Sequence, residues 1–203
     1  KGAEAGLASG LMSEPTTPGE PRPLRGYFGI GVEGISKPMN LGAILRTAHA
    51  FRASFAFAIQ PALDVGELLQ SDTSIAIENM PVHVYPTLAQ FTLPMGCRLI
   101  GVEITDDAID LPSFKHPTAA AYVLGAEQDS LSPELVERCD YVVKIPTRFC
   151  VNVSVVAVSL KNNRMVSLGR FAERPVRVGG PVTPLAQHKR GLPKWKQKRQ
   201  KPG

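Results

Sequence analysis

Apolar and polar positions alternate along this chain with two distinct periods. Short, nearly continuous apolar runs ("YFGIGVEG", "SFAFAI", "VHVY", "CRLIGVEI", "AAYVLGA" and "YVVKIP") predict strands buried on both faces. Between them, apolar residues recur at helical spacing. "NLGAILRTAHAF" puts Leu41, Ile44, Leu45, Ala48 and Phe51 on one side of a helix, with Asn40 expected as its cap. "SPELVERC" opens a helix: Ser132 can cap, Pro133 suits the first turn and Glu134 faces the dipole. "DVGELLQ", "SIAIENM" and "TLAQFTL" predict shorter helices. The β-branched run 153–158 in "RFCVNVSVVAVSL" favours a strand by propensity. Residues 152 to about 171 are long for a strand, however, so a helix capped by Asn152 is expected, with its valines as the buried face. Strands alternating with helices imply an α/β fold: a mostly parallel sheet with helices on both faces.

The flanks break this rhythm. Residues 1–25, including "MSEPTTPGEPRP", carry Pro, Gly, Ser and Thr without a period and read as a disordered leader, with Met12 a candidate natural start. Residues 26–174 form the folded domain, and 203 residues suffice for one well-buried domain. Residues 175–203 form a tail. From Arg174 onward there are nine Lys and Arg and no Asp or Glu, which leaves 14 basic against 18 acidic residues in the rest of a chain whose net charge is +5. Such an arm meets a polyanion or serves only as a solvated appendage. Trp195 among Lys189, Arg190, Lys194, Lys196, Lys198 and Arg199 favours RNA, because a ring can stack on a base while cations hold phosphates.

No apolar run approaches a membrane span and no signal-peptide pattern opens the chain, so a cytoplasmic protein is expected. Cys97, Cys139 and Cys150 are odd in number and unpaired in spacing, which predicts buried, reduced thiols rather than disulfides or zinc ligands. The scattered His49, His83, His116 and His188 suggest no metal centre.

Gly29, Gly31 and Gly34 match the dinucleotide fingerprint, but they lie inside a strand-like segment and are followed by Lys37 and Pro38 in a loop. They read as close-packing positions. Asn40 sits at a strand-to-helix junction, where parallel sheets bind ligands, and Arg46 follows six residues on. A capping Asn and a surface Arg would look the same. Leu124-Gly125-Ala126-Glu127 places small residues after a strand, where a flat ligand can approach the backbone; Glu127 could equally be an ordinary loop residue. Ile145-Pro146 ends another strand, and Asn152 and Ser154 follow within an apolar run. Asn152-x-Ser154 also matches a glycosylation acceptor, which a cytoplasmic protein would not use.

Taken in order, Asn40, Gly42 and Arg46, then Gly125, Glu127, Ile145 and Pro146, then Cys150 to Ala157 resemble the three motifs of the SpoU (TrmH-like) branch of the SPOUT RNA methyltransferases. The resemblance spans roughly Gly26 to Phe171. It implies a deep trefoil knot at the C-terminal side, a homodimer, and S-adenosylmethionine bound in the knot without a metal. The substrate class it implies is a ribose 2′-hydroxyl of tRNA or rRNA. Carried over by motif, the cofactor would contact Glu103, Ile104, Thr105, Leu124, Gly125, Ala126, Ile145, Pro146, Cys150, Val151 and Asn152. The implied catalytic set is Arg46, Asn40, Glu127, Asn152 and Ser154, with Arg46 also touching RNA. Arginine rarely surrenders a proton, so an electrostatic role for Arg46 is favoured over a basic one. Asn40 would orient it or the hydroxyl, Glu127 and Asn152 would hold the loops, and Ser154 would satisfy the helix start. Two positions depart from the pattern. Cys150 replaces a serine, which leaves a non-catalytic RNA-binding or assembly factor as the alternative, and Arg52 stands where glycine is common.

Overall fold

The computed structural model describes residues 26–63, 66, 76–125 and 130–169. The leader, most of "DVGELLQ", Ala126, Glu127 and the basic tail with Lys189, Arg190 and Trp195 lie outside the described residues.

Seven strands form one sheet: β1 (Tyr27–Glu33), β2 (Phe55–Ile59), β3 (Val82–Tyr85), β4 (Arg98–Val102), β5 (Ile109–Asp110), β6 (Ala119–Leu124) and β7 (Tyr141–Lys144). Their order is β3-β2-β1-β6-β4-β7-β5, and every pairing is parallel. Alternation along β1 assigns its two faces. Phe28, Ile30 and Val32 join Leu41, Ile44, Leu45 and Ala48 of α1 (Pro38–Ala50) in one core, which also takes Val153, Ala157 and Leu160 of α4 (Val153–Leu168). Gly29 and Gly31 face the other way, beneath the rings of Phe55 and Phe57. A Cβ there would fall 2.4 Å and 2.2 Å from ring atoms, so these glycines are close-packing positions as expected. The second core holds Phe55, Phe57, Phe91 and Val123 against Leu131 and Leu135, the latter from α3 (Pro133–Glu137). Helices therefore cover both faces, as the strand–helix alternation predicts.

Several local expectations change. Helix α1 starts at Pro38 with Lys37 in the capping position, so Asn40 does not cap it but lies buried in the first turn. Pro38 needs no N–H partner and presets the helical φ, which moves the start forward. "SIAIENM" keeps a short helix α2 (Ala76–Asn79), and "TLAQFTL" shrinks to a 3₁₀ turn at Leu88–Gln90. Strand β5 is two residues long with no apolar run to announce it. Asn152 caps α4 as expected, its Oδ1 accepting the Ser154 N–H at 2.9 Å.

The valines of α4 are not one buried face. Val153, Ala157, Leu160, Lys161 and Arg164 point inward, whereas Val155 and Val158 are exposed. At about 100° per residue, 155 and 158 fall opposite 153 and 157. All three cysteines are free, but only Cys97 and Cys139 are half-buried; Cys150 is exposed, against the expectation of burial.

Candidate active site

β6, β4 and β7 are neighbours in the sheet, and their carboxyl ends open onto one cleft of about 800 Å³, its mouth included. β4 supplies Val102 and continues into Glu103 and Ile104; β6 supplies Leu124 and runs into Gly125; β7 supplies Lys144 and leads to Ile145. The link to α4 adds Thr147, Cys150 and Val151, α4 itself adds Val153 and Val156, and Ser130 closes the remaining side. Parallel sheets bind ligands at this end because the chain turns away there and leaves loop backbone exposed.

Of the expected cofactor residues, Glu103, Ile104, Leu124, Gly125, Ile145, Cys150 and Val151 line this cleft. Thr105, Pro146 and Asn152 adjoin lining residues without lining it themselves. Sequence reasoning missed Val102, Ser130, Lys144, Thr147, Val153 and Val156. Val153 and Val156 lie inside the third motif and the others are near chain neighbours of expected residues, and that adjacency was the available signal.

The two charged groups of the wall are engaged by the loops. Glu103 accepts the Ile104 N–H through Oε1 and the Leu131 N–H through Oε2, both at 2.9 Å. Lys144 Nζ donates to the carbonyls of Thr105 at 3.0 Å and Asp106 at 3.3 Å. What faces the cleft is therefore largely apolar side chain and backbone. Beside it, the Thr105 hydroxyl is buried without a hydrogen-bond partner among the described residues.

The polar candidates divide into two groups. Asn152 Nδ2 donates to Asn40 Oδ1 at 3.5 Å, which joins segments 112 residues apart. Ser154 donates to Asn152 Oδ1 from its N–H at 2.9 Å and from its Oγ at 2.5 Å. Asn40, Asn152 and Ser154 thus form one chain of contacts, fixed by the helix start and by the packing of α4 on α1. Arg46 is exposed on α1 and does not line the cleft. Among the described residues no cluster of His, Cys, Asp and Glu gathers as a metal site, and no helix is long and apolar enough to cross a membrane.

Comparison with known proteins bears on this arrangement. Residues 28–160 match the model of the SpoU rRNA Methylase family. The chain is 32% identical over 133 residues to the 23S rRNA (guanosine-2′-O-)-methyltransferase of Neisseria meningitidis, covering 62% of this chain and 53% of that protein. It is 31% identical to the tRNA (guanosine(18)-2′-O)-methyltransferase of Thermus thermophilus, covering 62% of this chain and 68% of the relative. The chain thus spans about half to two-thirds of the length of these relatives. Among solved structures, an AdoMet-bound rRNA methyltransferase from Sinorhizobium meliloti superposes with a TM-score of 0.63 at 20% identity, over 73% of this chain and 62% of that one. The SpoU methyltransferase AviRb from Streptomyces viridochromogenes gives 0.59 at 23%, over 72% and 60%. At these identities the superpositions speak to the fold.

Proposed function

The chain belongs to the SpoU rRNA Methylase family, and on that premise we propose that it transfers a methyl group from S-adenosylmethionine to a ribose 2′-hydroxyl of tRNA or rRNA. The observation that carries this reading is the convergence of three adjacent strand ends on one cleft, beside the contact between Asn40 and Asn152. The Neisseria and Thermus relatives, named as ribose methyltransferases of rRNA and tRNA, support the reaction class.

The cleft's residues fit the methyl donor. Leu124, Ile145, Val151 and Val153 offer apolar walls to an uncharged adenine, Gly125 lets a flat ring approach the backbone, and the buried Thr105 hydroxyl lacks a partner a ligand could supply. Glu103 and Lys144 give the wall one negative and one positive charge, so the lining carries no net charge to repel a sulfonium. The donor supplies a methyl group already activated by its positive sulfur. What this chain must then provide is the alignment of a weakly nucleophilic hydroxyl and stabilisation of the charge that develops on its oxygen. Arg46, a permanent cation facing solvent, holds the RNA phosphate or hydroxyl and stabilises that charge. Asn40 and Asn152 orient the groups at the junction of α1 and α4, and Ser154 keeps Asn152 in place.

The same reading includes a deep trefoil knot and a homodimer. β7 pairs with β4 although it follows β6 in the chain, and the link after it returns past the cleft to α4, as a knotted path requires. Val155, Val158 and Met165 leave an exposed apolar stripe along α4 that a second copy would cover. Residues 26–174 are the catalytic unit and 175–203 a basic RNA-binding arm, in a protein acting on RNA in the cytoplasm.

The test is methyl transfer from radiolabelled S-adenosylmethionine to total tRNA and rRNA. We expect incorporation that falls by about two to three orders of magnitude in Arg46→Ala. Tight RNA binding without S-adenosylmethionine affinity, measured calorimetrically, and no transfer to any RNA would favour the non-catalytic reading.

A further inference from the structure

We infer that Glu33 is a positioning residue for the methyl-donor cleft, acting through Ser132 on the wall to which Ser130 belongs. This rests on the reading of the cleft as an S-adenosylmethionine site. Glu33 ends β1, whose register pairs Val32 with Leu124 of the cleft wall. It does not line the cleft and belongs to none of the motifs, yet it is only 7% exposed. A carboxylate is rarely buried so deeply unless firmly hydrogen-bonded. Glu33 Oε2 accepts the Ser132 N–H at 2.7 Å, and Oε1 accepts the Ser132 Oγ–H at 2.6 Å. The same Ser132 Oγ accepts the Leu135 N–H at 3.3 Å, so the hydroxyl is engaged on both sides.

Glu103 makes the matching contact one residue earlier, through the Leu131 N–H at 2.9 Å. Glu33 is the last residue of β1 and Glu103 directly follows β4, and these are the strands that flank β6. Together the two carboxylates hold two consecutive peptide N–H groups directly after Ser130. An anchor serving only α3 would need the Ser132 cap alone, because that hydroxyl already satisfies the helix start. The second, carboxylate-to-backbone hold instead fixes where the chain re-enters the cleft. Glutamine replaces it poorly: its one oxygen can accept the Ser132 N–H, but its NH2 must then donate to the Ser132 hydroxyl, and both charge-assisted bonds lose the carboxylate's charge.

The experiment compares the full chain with Glu33→Gln, Ser132→Ala and the double variant. S-adenosylmethionine affinity is read by calorimetry and amide hydrogen exchange by NMR. Each single variant weakens affinity about tenfold, and the double variant is no weaker than the worse single, because both act through one pair. In Glu33→Gln the Leu131 and Ser132 amides exchange faster while those of α1 do not. Unchanged affinity in Glu33→Gln overturns the inference, as do losses that multiply in the double variant. Should Glu33→Gln fail to fold, the half-buried Ser132→Ala decides: wild-type affinity there overturns the inference too. A wild-type chain that binds no S-adenosylmethionine defeats the functional reading instead. In that case the exchange rates still judge the clamp, and unchanged Ser132 exchange overturns it.

Discussion

Arg52 holds φ at +55°, in the left-handed region that glycine enters freely. It sits just past α1, where the Ala53 N–H donates to the Ala48 carbonyl at 2.8 Å and the Arg52 N–H to the His49 carbonyl at 2.9 Å, a helix-ending turn. The side chain is exposed, so little burial offsets the backbone strain. Arg52→Gly is expected to raise the unfolding free energy by about 0.5–1 kcal/mol in denaturant titration; a loss would mean the side chain makes a contact worth more than the strain. The departure from the family's glycine was visible in the sequence, whereas the left-handed turn that gives it a cost was not. Cys150 is the converse case. Its chemistry was legible, but its exposure at the cleft was not, because an apolar run reads as buried. Burial pushes the Cys97 thiol up and the Cys139 thiol up to about 11, so neither is readily ionised. N-ethylmaleimide at neutral pH is therefore expected to modify Cys150 first, to block S-adenosylmethionine binding, and to be slowed by that ligand, all read by peptide mass spectrometry. Cys150→Ser is expected to keep affinity within about threefold.

At the scale of elements, α4 hides what its sequence displays. "KNNR" reads as a solvated face, yet Lys161 is 1% exposed and Arg164 2%. The apolar period stops at Leu160 while the helix continues, and its inward positions fall on two cations. Arg164 donates to carbonyls and a phenol: Nη1 to Pro117 O at 2.6 Å and Tyr122 Oη at 2.9 Å, and Nη2 to Thr118 O at 2.9 Å. Tyr122 in turn donates to His116 Nδ1 at 2.6 Å, and His116 Nε2 donates to Asn163 Oδ1 at 2.8 Å. Burial pushes the His116 pKa down, which suits an imidazole with one donor and one acceptor nitrogen. Lys161 has a weaker setting: Nζ is 3.4 Å from the Gly29 carbonyl and 4.0 Å from the Phe28 ring centroid. A cation–π contact gives about 2 kcal/mol, against several kcal/mol of lost hydration plus repulsion from Arg164. Burial and then Arg164 accordingly hold the Lys161 pKa well below the ordinary lysine value. Between that depressed value and about 10.4 the unfolded chain binds more protons than the folded one, so this group makes stability rise with pH. Lys161→Met should remove that slope and gain most over wild type at the low-pH end of the window, as measured by denaturant unfolding across pH. A difference independent of pH would show that Lys161 stays protonated in the fold.

For the whole molecule, the class of fold was legible because strand and helix periods alternate and the strands are continuously apolar. The strand order was not. Pairings such as β1 with β6, and the meeting of Asn40 with Asn152 across 112 residues, leave no periodic trace in the chain. Only the spacing of the three motifs pointed to that meeting. The clamp at Glu33 escaped for the same reason, since its partner Ser132 lies 99 residues away. The exposed stripe on α4 carries its own prediction. Val155→Asp combined with Val158→Asp should turn a dimer into a monomer by sedimentation equilibrium with helical content unchanged, and a dimer that persists would direct attention to another face.

Methylation of a ribose oxygen leaves a mark that methylation of a base does not, and the position of the transferred methyl group reads it. RNA labelled by the purified chain with radioactive S-adenosylmethionine is digested with alkali, which cannot cleave beside a 2′-O-methylated ribose. Label recovered in alkali-resistant dinucleotides, and lost with Arg46→Ala, is the predicted result. Label confined to mononucleotides, or no incorporation into any tRNA or rRNA, would contradict it.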